Sequence, residues 1–216
     1  MGRLEGKNAI VTGAAGGIGL ETSILMAREG ASVLLVDISK PALDKAIEQL
    51  HEHVPNASAI KLEPFVCDVS KEDNVKAMVE YVDAWGGVDV MFNNAGIMHA
   101  NDADAIDTPE EIWDLTHDIN VKGVWFGCKH AILSLRRHNK DKGSIINTAS
   151  VVALVGSATP QLAYTASKGA VLALTRELAI VHAKEGTYDD SKDVKPNQLI
   201  ATSGFRFNAL CPAPLK

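Results

Sequence analysis

The chain has 216 residues, 46% of them hydrophobic and 22% charged, with a formal net charge of -6. That length points to a single domain over residues 1–216 with enough chain for a full core, and the acidic balance argues against nucleic acid or an anionic membrane as partner. No apolar run approaches the roughly 18 residues of a membrane span, and the N-terminus lacks the apolar core of a signal peptide.

Asn8–Thr12 reads as a short buried strand that runs straight into Gly13-Ala14-Ala15-Gly16-Gly17-Ile18-Gly19. A helix follows, with Ile18, Leu25, Met26 and Ala27 at helical spacing, and Gly30 can close it. Ser32–Asp37 is a continuous apolar strand, as expected of a sheet covered on both faces. A helix from Pro41 to about His53 and a strand from Ala59 to Val66 come next, and Asp68-Val69-Ser70 then leads into a helix through about Ala84. Val88–Asn93 is a further buried strand. A long helix is expected from about Thr108 to His138, a strand over Ser144–Thr148, a helix from about Gln161 to Glu185, and a sixth strand over Phe205–Leu210. Strands alternating with helices predict an α/β, doubly wound parallel sheet with helices on both faces.

Three positions carry chemistry. The glycine loop sits between a strand and a helix, where bare backbone can approach a pyrophosphate and helix amides can meet its charge. Asp37 ends the next strand, where a carboxylate can accept from adenosine ribose hydroxyls and repel a 2′-phosphate. NAD is therefore expected and NADP is less so, with Lys40 close enough to matter. Tyr164 and Lys168 stand four apart at the start of an apolar helix, hence on one face. An ammonium beside a phenol favours the phenolate, which suits proton exchange near neutral pH. The three cysteines, Cys67, Cys128 and Cys211, lie far apart with no histidine at ligand spacing. Neither a metal nor a disulfide framework is expected, and a reducing, cytoplasmic setting fits.

Taken in order, several motifs resemble those of the short-chain dehydrogenase/reductase family. They are Thr12–Gly19, Asp68-Val69, Asn93-Asn94-Ala95-Gly96, Asn120 within Ile119–Gly123, Ser150, Tyr164-Thr165-Ala166-Ser167-Lys168, and Cys211-Pro212-Ala213-Pro214. The resemblance implies a Rossmann-like, three-layer αβα fold and hydride transfer between NAD(H) and a secondary alcohol or ketone. It implies a cofactor site of Gly13, Gly17, Ile18, Gly19, Asp37, Asp68, Val69, Asn94, Ala95, Gly96, Tyr164, Lys168 and Pro212. Tyr164 would exchange the substrate proton, Lys168 would assist it and hold the nicotinamide ribose, and Ser150 would donate to the substrate oxygen. Asn120 would hold a relay water. Ser150 lies one residue further from Tyr164 than is common in the family, with Ser157 the fallback. A homodimer through the helices around 108–138 and 161–185 is also implied.

Two departures stand out. Residues 187–204 interrupt a connection that is usually short, and joining Gly186 to Phe205 restores the family pattern. The segment reads either as translated intron or as a natural surface insertion, expected to be mobile and to leave the sheet intact. The chain also stops at Lys216, without the lid, last helix and seventh strand usual in the family. A non-catalytic dinucleotide-binding or dimerisation partner is therefore the alternative to an active enzyme, and weak stability is expected.

Overall fold

The computed structural model describes residues 2–54, 59–182 and 204–213. Six strands form one sheet: β1 Asn8–Thr12, β2 Ser32–Asp37, β3 Leu62–Val66, β4 Val90–Asn93, β5 Gly143–Thr148 and β6 Phe205–Leu210. Their order is β3-β2-β1-β4-β5-β6, and every neighbouring pair is parallel. The strand sequence reverses direction across the sheet between β1 and β4, the place where doubly wound folds open a crevice at the strand C-termini.

Alternation along the strands divides the core in two. Ala9, Val11, Val33 and Leu35 pack on one face with Leu20, Ile24, Leu43 and Leu50 from the helices α1 (Gly17–Arg28) and α2 (Lys40–His53). Ile10, Leu34 and Val36 pack on the other. Their partners include Met78 and Val82 of α3 (Glu72–Asp83), Leu135 of α5 (Gly123–Arg137) and Val171 of α6 (Leu162–Val181). Two buried faces explain why the central strands read as unbroken apolar runs. Among the described residues, no helix is long and apolar enough to cross a membrane.

The long helix expected from Thr108 to His138 is not continuous. It is built as α4 (Glu110–His117), a single π turn over Asp118–Lys122, and α5. A π turn adds a residue to one turn and so rotates the side chains beyond it about the helix axis. Here it carries Asn120 inward to 0% exposure. β3 is shorter than expected, starting at Leu62 instead of Ala59. It is an edge strand of alternating burial with Pro64 within it, so its apolar signal is weak.

Residues 187–203 and Pro214 lie outside the described residues, as do Lys184 and Glu185 at the expected end of α6. β6 resumes in register beside β5, from Gly143 opposite Phe205 to Thr148 opposite Leu210.

Candidate active site

The glycine loop links β1 to α1 at the sheet's C-terminal edge. Its chain turns so tightly that a Cβ on Gly19 would lie 2.1 Å from the Gly13 carbonyl oxygen. Gly13 itself has a φ of +64°, and a Cβ there would press on the backbone of Ala95 at 3.0 Å. The first-turn amides of α1 belong to Gly17, Ile18 and Gly19, and no side chain caps them. Asp37, at the end of β2, accepts hydrogen bonds from Ser39 N (3.1 Å) and Ala15 N (3.3 Å), which fixes its carboxylate beside the loop. A cavity of about 220 Å³ opens there, lined by Gly13, Asp37, Asp68, Val69, Ala95 and Gly96 among others. Its charged lining side chains are both acidic, and the nearby Lys40 is paired with Asp44 at 2.7 Å. Asp68 accepts from the amide and hydroxyl of Ser70 at 2.9 and 2.7 Å. Cys67 also lines this cavity, and burial pushes its thiol up to about 12, so it stays protonated.

Asn94 is a strut between strands. Its amide nitrogen donates to the Thr12 carbonyl at 3.0 Å, and the Thr12 hydroxyl accepts from the backbone amides of Asn94 and Ala95, each at 3.0 Å. Asn93 turns the other way, into the core. Its side chain donates to Asn147 Oδ1 at 2.8 Å, and Asn147 Nδ2 donates to the Thr175 hydroxyl at 3.0 Å. This buried chain ties β4, β5 and α6 together. Asn147 was invisible in the sequence because it sits inside an apolar strand.

A second cavity, of about 470 Å³, brings together Ile18, Asn94, Gly96, Ser150, Tyr164, Lys168 and Pro212. It shares Gly96 and Ile97 with the first, so the two form one elongated groove along the strand ends. Ser150 follows β5 in extended conformation, 7% exposed, and its hydroxyl accepts from Val152 N at 3.4 Å. Val151 N donates to the Pro212 carbonyl at 3.0 Å, which holds the chain after β6 against this turn. The Lys168 ammonium lies 5.6 Å from the centre of the Tyr164 ring and donates to the Thr148 carbonyl at 2.8 Å. Burial pushes the lysine down to about 8.

Asn120 closes the back of the site. Its Oδ1 accepts from Ile97 N at 2.8 Å, and its Nδ2 donates to the Ile97 carbonyl (2.9 Å) and the Ser167 hydroxyl (3.0 Å). A Cβ on Gly96 would stand 3.0 Å from Asn120 Oδ1 and 3.3 Å from Lys168 Nζ, so only a bare residue leaves both undisturbed. One turn earlier, the buried Thr116 hydroxyl has no hydrogen-bond partner among the described residues.

Ser157 is exposed, and its hydroxyl accepts from Thr159 N instead of facing the cavity. His99 accepts from Asn101 N and lines neither cavity. His130 of α5 is buried at 6% exposure and lies 3.2 Å from Glu72 of α3. Among the described residues, no group of three or more His, Cys, Asp or Glu could hold a metal ion. The sequence reading also missed Asp102, whose carboxylate accepts from the amides of Ala163 (3.0 Å) and Tyr164 (2.8 Å). Its partner lies 62 positions along the chain, beyond any local capping signal.

The groove suits an elongated anionic ligand: glycine backbone leaves no side chain in the way, uncapped helix amides await a negative group, and a carboxylate stands at the far end. The profile of the short chain dehydrogenase family matches residues 7–188. The 3-oxoacyl-(acyl-carrier-protein) reductase of Thermotoga maritima is 40% identical over 178 residues, covering 82% of this chain and 68% of that protein. The (+)-borneol dehydrogenase 2 of Salvia officinalis is 39% identical over 185 residues, covering 85% of this chain and 62% of that protein. The chain thus spans about two thirds of the length of these relatives. The crystal structure of NAD+-bound xylitol dehydrogenase superposes with a TM-score of 0.80 at 32% identity, covering 97% of this chain and 71% of that one. Levodione reductase gives a TM-score of 0.82 at 29% identity, covering 97% and 72%.

Proposed function

Because this chain belongs to the short-chain dehydrogenase family, we propose that it transfers hydride between NAD(H) and an uncharged secondary alcohol or ketone. The observation that carries this reading is the convergence of Ser150, Tyr164 and Lys168 on one cavity that is continuous with the glycine-loop groove.

Bound NAD supplies the nicotinamide carbon that takes or gives the hydride. Amides of Gly17, Ile18 and Gly19 would meet the pyrophosphate, and Asp37 would hold the adenosine ribose. Asp68, Val69, Asn94, Ala95 and Gly96 would line the nucleoside, and Pro212 would bound the nicotinamide end. In the reducing direction the Tyr164 hydroxyl gives its proton to the substrate oxygen, and in oxidation it takes that proton back. Ser150 donates to the same oxygen and fixes its direction. Lys168 has donors to spare beyond Thr148, enough to bind the nicotinamide ribose and pass a proton onward. Both amide protons of Asn120 are spent on Ile97 and Ser167, which leaves Oδ1 as its side-chain contact for a relay water. NAD is favoured over NADP because the carboxylates of Asp37 and Asp68 face the adenosine cavity while Lys40 is engaged elsewhere.

The substrate end of the cavity is lined by Ile97, Met98, Val151, Val152 and Gln161, with Lys168 its one charged side chain among the described residues. That lining favours a largely apolar compound. Absorbance in the NADH band, followed over a panel of neutral secondary alcohols and ketones, tests the reading. Turnover lost in Tyr164→Phe supports it. NADH binding without turnover by the wild-type chain would instead leave a dinucleotide-binding protein.

A further inference from the structure

We propose that Asp102 is a positioning residue that locks the tyrosine-bearing helix to the cofactor loop, so that Tyr164 is held at a fixed place over the nicotinamide site. The proposal rests on the proton-transfer role given to Tyr164 above. An α-helix begins with amides that have no partner inside the helix, and buried ones must find partners elsewhere. In α6 those of Leu162, Ala163 and Tyr164 are all met by two consecutive residues of the loop after β4. Leu162 N donates to the Ala103 carbonyl at 2.9 Å. Ala163 N and Tyr164 N donate to separate oxygens of Asp102, Oδ1 at 3.0 Å and Oδ2 at 2.8 Å. The first bond within the helix then runs from Thr165 N to the Gln161 carbonyl, at 2.9 Å.

Only a carboxylate can serve two adjacent amides in this way, since an asparagine would turn its own N–H toward one of them. The negative group also sits where the helix dipole is positive. Asp102 is 8% exposed and is itself anchored: its amide donates to the His99 carbonyl at 3.1 Å. The Thr108 hydroxyl accepts from Ala103 N at 3.0 Å. Because the cap comes from a distant loop, Gln161 at the N-cap position makes no side-chain cap bond and lines the cavity instead.

The clamp has a mechanical consequence. The loop that ends in Asp102 begins with Asn94, Ala95 and Gly96, which line the groove, and Asn120 grips it at Ile97. One short piece of chain therefore carries a wall of the cofactor site at one end and the mooring of the tyrosine helix at the other. Loss of the clamp moves the proton donor without removing any group that binds NAD.

The test compares Asp102→Ala, Asp102→Asn and Asp102→Glu with wild type, using the substrate that the panel identifies. Asp102→Ala is expected to lower kcat on the order of 10- to 100-fold, with NADH affinity by fluorescence titration kept within about twofold. The deuterium isotope effect with 4-deuterated NADH should rise as the chemical step slows. Asp102→Glu should recover part of the rate, and Asp102→Asn less. Amide hydrogen exchange at residues 162–165, read well below the melting temperature, should speed up more than in the rest of α6. A kcat per binding site equal to wild type, or an unchanged isotope effect, overturns the positioning role. Unchanged exchange at 162–165 overturns the clamp itself. If the wild-type chain turns over nothing, the oxidoreductase reading fails, and hydrogen exchange alone decides on the clamp.

Discussion

Lys168 stands under Tyr164 with its ammonium 5.6 Å from the ring centre, yet its hydrogen bond goes to the Thr148 carbonyl on β5. Tertiary structure therefore aims the lysine, while the helix alone would merely place it on the same side as the tyrosine. At 3% exposure the charge is largely stripped of water, and burial brings its pKa down from 10.5 to about 8. A base depressed in the folded state holds its proton less tightly there than in the unfolded chain. Below about pH 8 both states keep the proton and the burial cost is felt in full. As pH rises from about 8 toward 10.5 that cost fades, so stability rises. The gain is on the order of 3 kcal/mol. Denaturant unfolding of the cofactor-free protein at pH 7.5 and 10 should show wild type gaining on Lys168→Met across that window. Parallel changes in the two proteins would sink the assignment.

Asp37 provides a test of cofactor choice. Its two oxygens are oriented by Ser39 N and Ala15 N, so the carboxylate presents a fixed negative edge toward the cavity proposed for adenosine. Replacing it by serine removes the repulsion of a 2′-phosphate while keeping a group able to accept from Ser39. NADH affinity should fall and NADPH affinity should rise in Asp37→Ser. The ratio of the two dissociation constants should move by at least about tenfold, equivalent to roughly 1.4 kcal/mol. A wild-type protein that already prefers NADPH would count against the reading.

The glycines of the loop differ in what they tolerate. Gly17 has a φ of +52° but open space where a Cβ would sit, so Gly17→Ala meets conformational strain alone, about 1–2 kcal/mol. Gly19 has no such room, because its Cβ would fall 2.1 Å from the Gly13 carbonyl oxygen, and backbone must move to admit it. Gly19→Ala should weaken NADH binding by more than about tenfold, roughly 1.4 kcal/mol, and lower the melting temperature. Gly17→Ala should retain a larger share of both. Titration of NADH fluorescence and a thermal melt on each variant decide the order.

The parts of this molecule that were legible in its sequence are those set by short-range pattern. β1, β2 and β4 are buried on both faces and so read as apolar runs, and the glycine loop follows β1 directly. The π turn at Asp118–Lys122 left no such mark, since one extra residue hardly disturbs an apolar period that continues on either side. The Asn93–Asn147–Thr175 chain and the grip of Asp102 on Tyr164 join residues far apart in sequence. Composition and periodicity carry no information on such pairs, and only the folded sheet brings them together. The pairing of His130 with Glu72 likewise joins two different helices.

Exposed apolar side chains on α4, α5 and α6 bear on the homodimer that the family resemblance implies. Trp125 is 46% exposed, Ile180 73% and Val181 57%, with Trp113 and Leu133 each at 36%. So many large apolar groups on three neighbouring helices resemble a subunit interface more than an ordinary surface. The Trp125 ring lies tilted against Phe126, 5.1 Å between centroids, and Phe126 is anchored in the core, so the indole is presented outward on a rigid base. A symmetric dimer would place each Trp125 against the partner's helices, where an aromatic group is worth more than most contacts. Trp125→Asp should convert the protein to a monomer at micromolar concentration. The change should leave NADH affinity per chain within about twofold, because Trp125 lines neither cavity of the groove. Sedimentation velocity over a dilution series gives the answer. A wild-type chain that stays monomeric at tens of micromolar would overturn the homodimer that the resemblance implies.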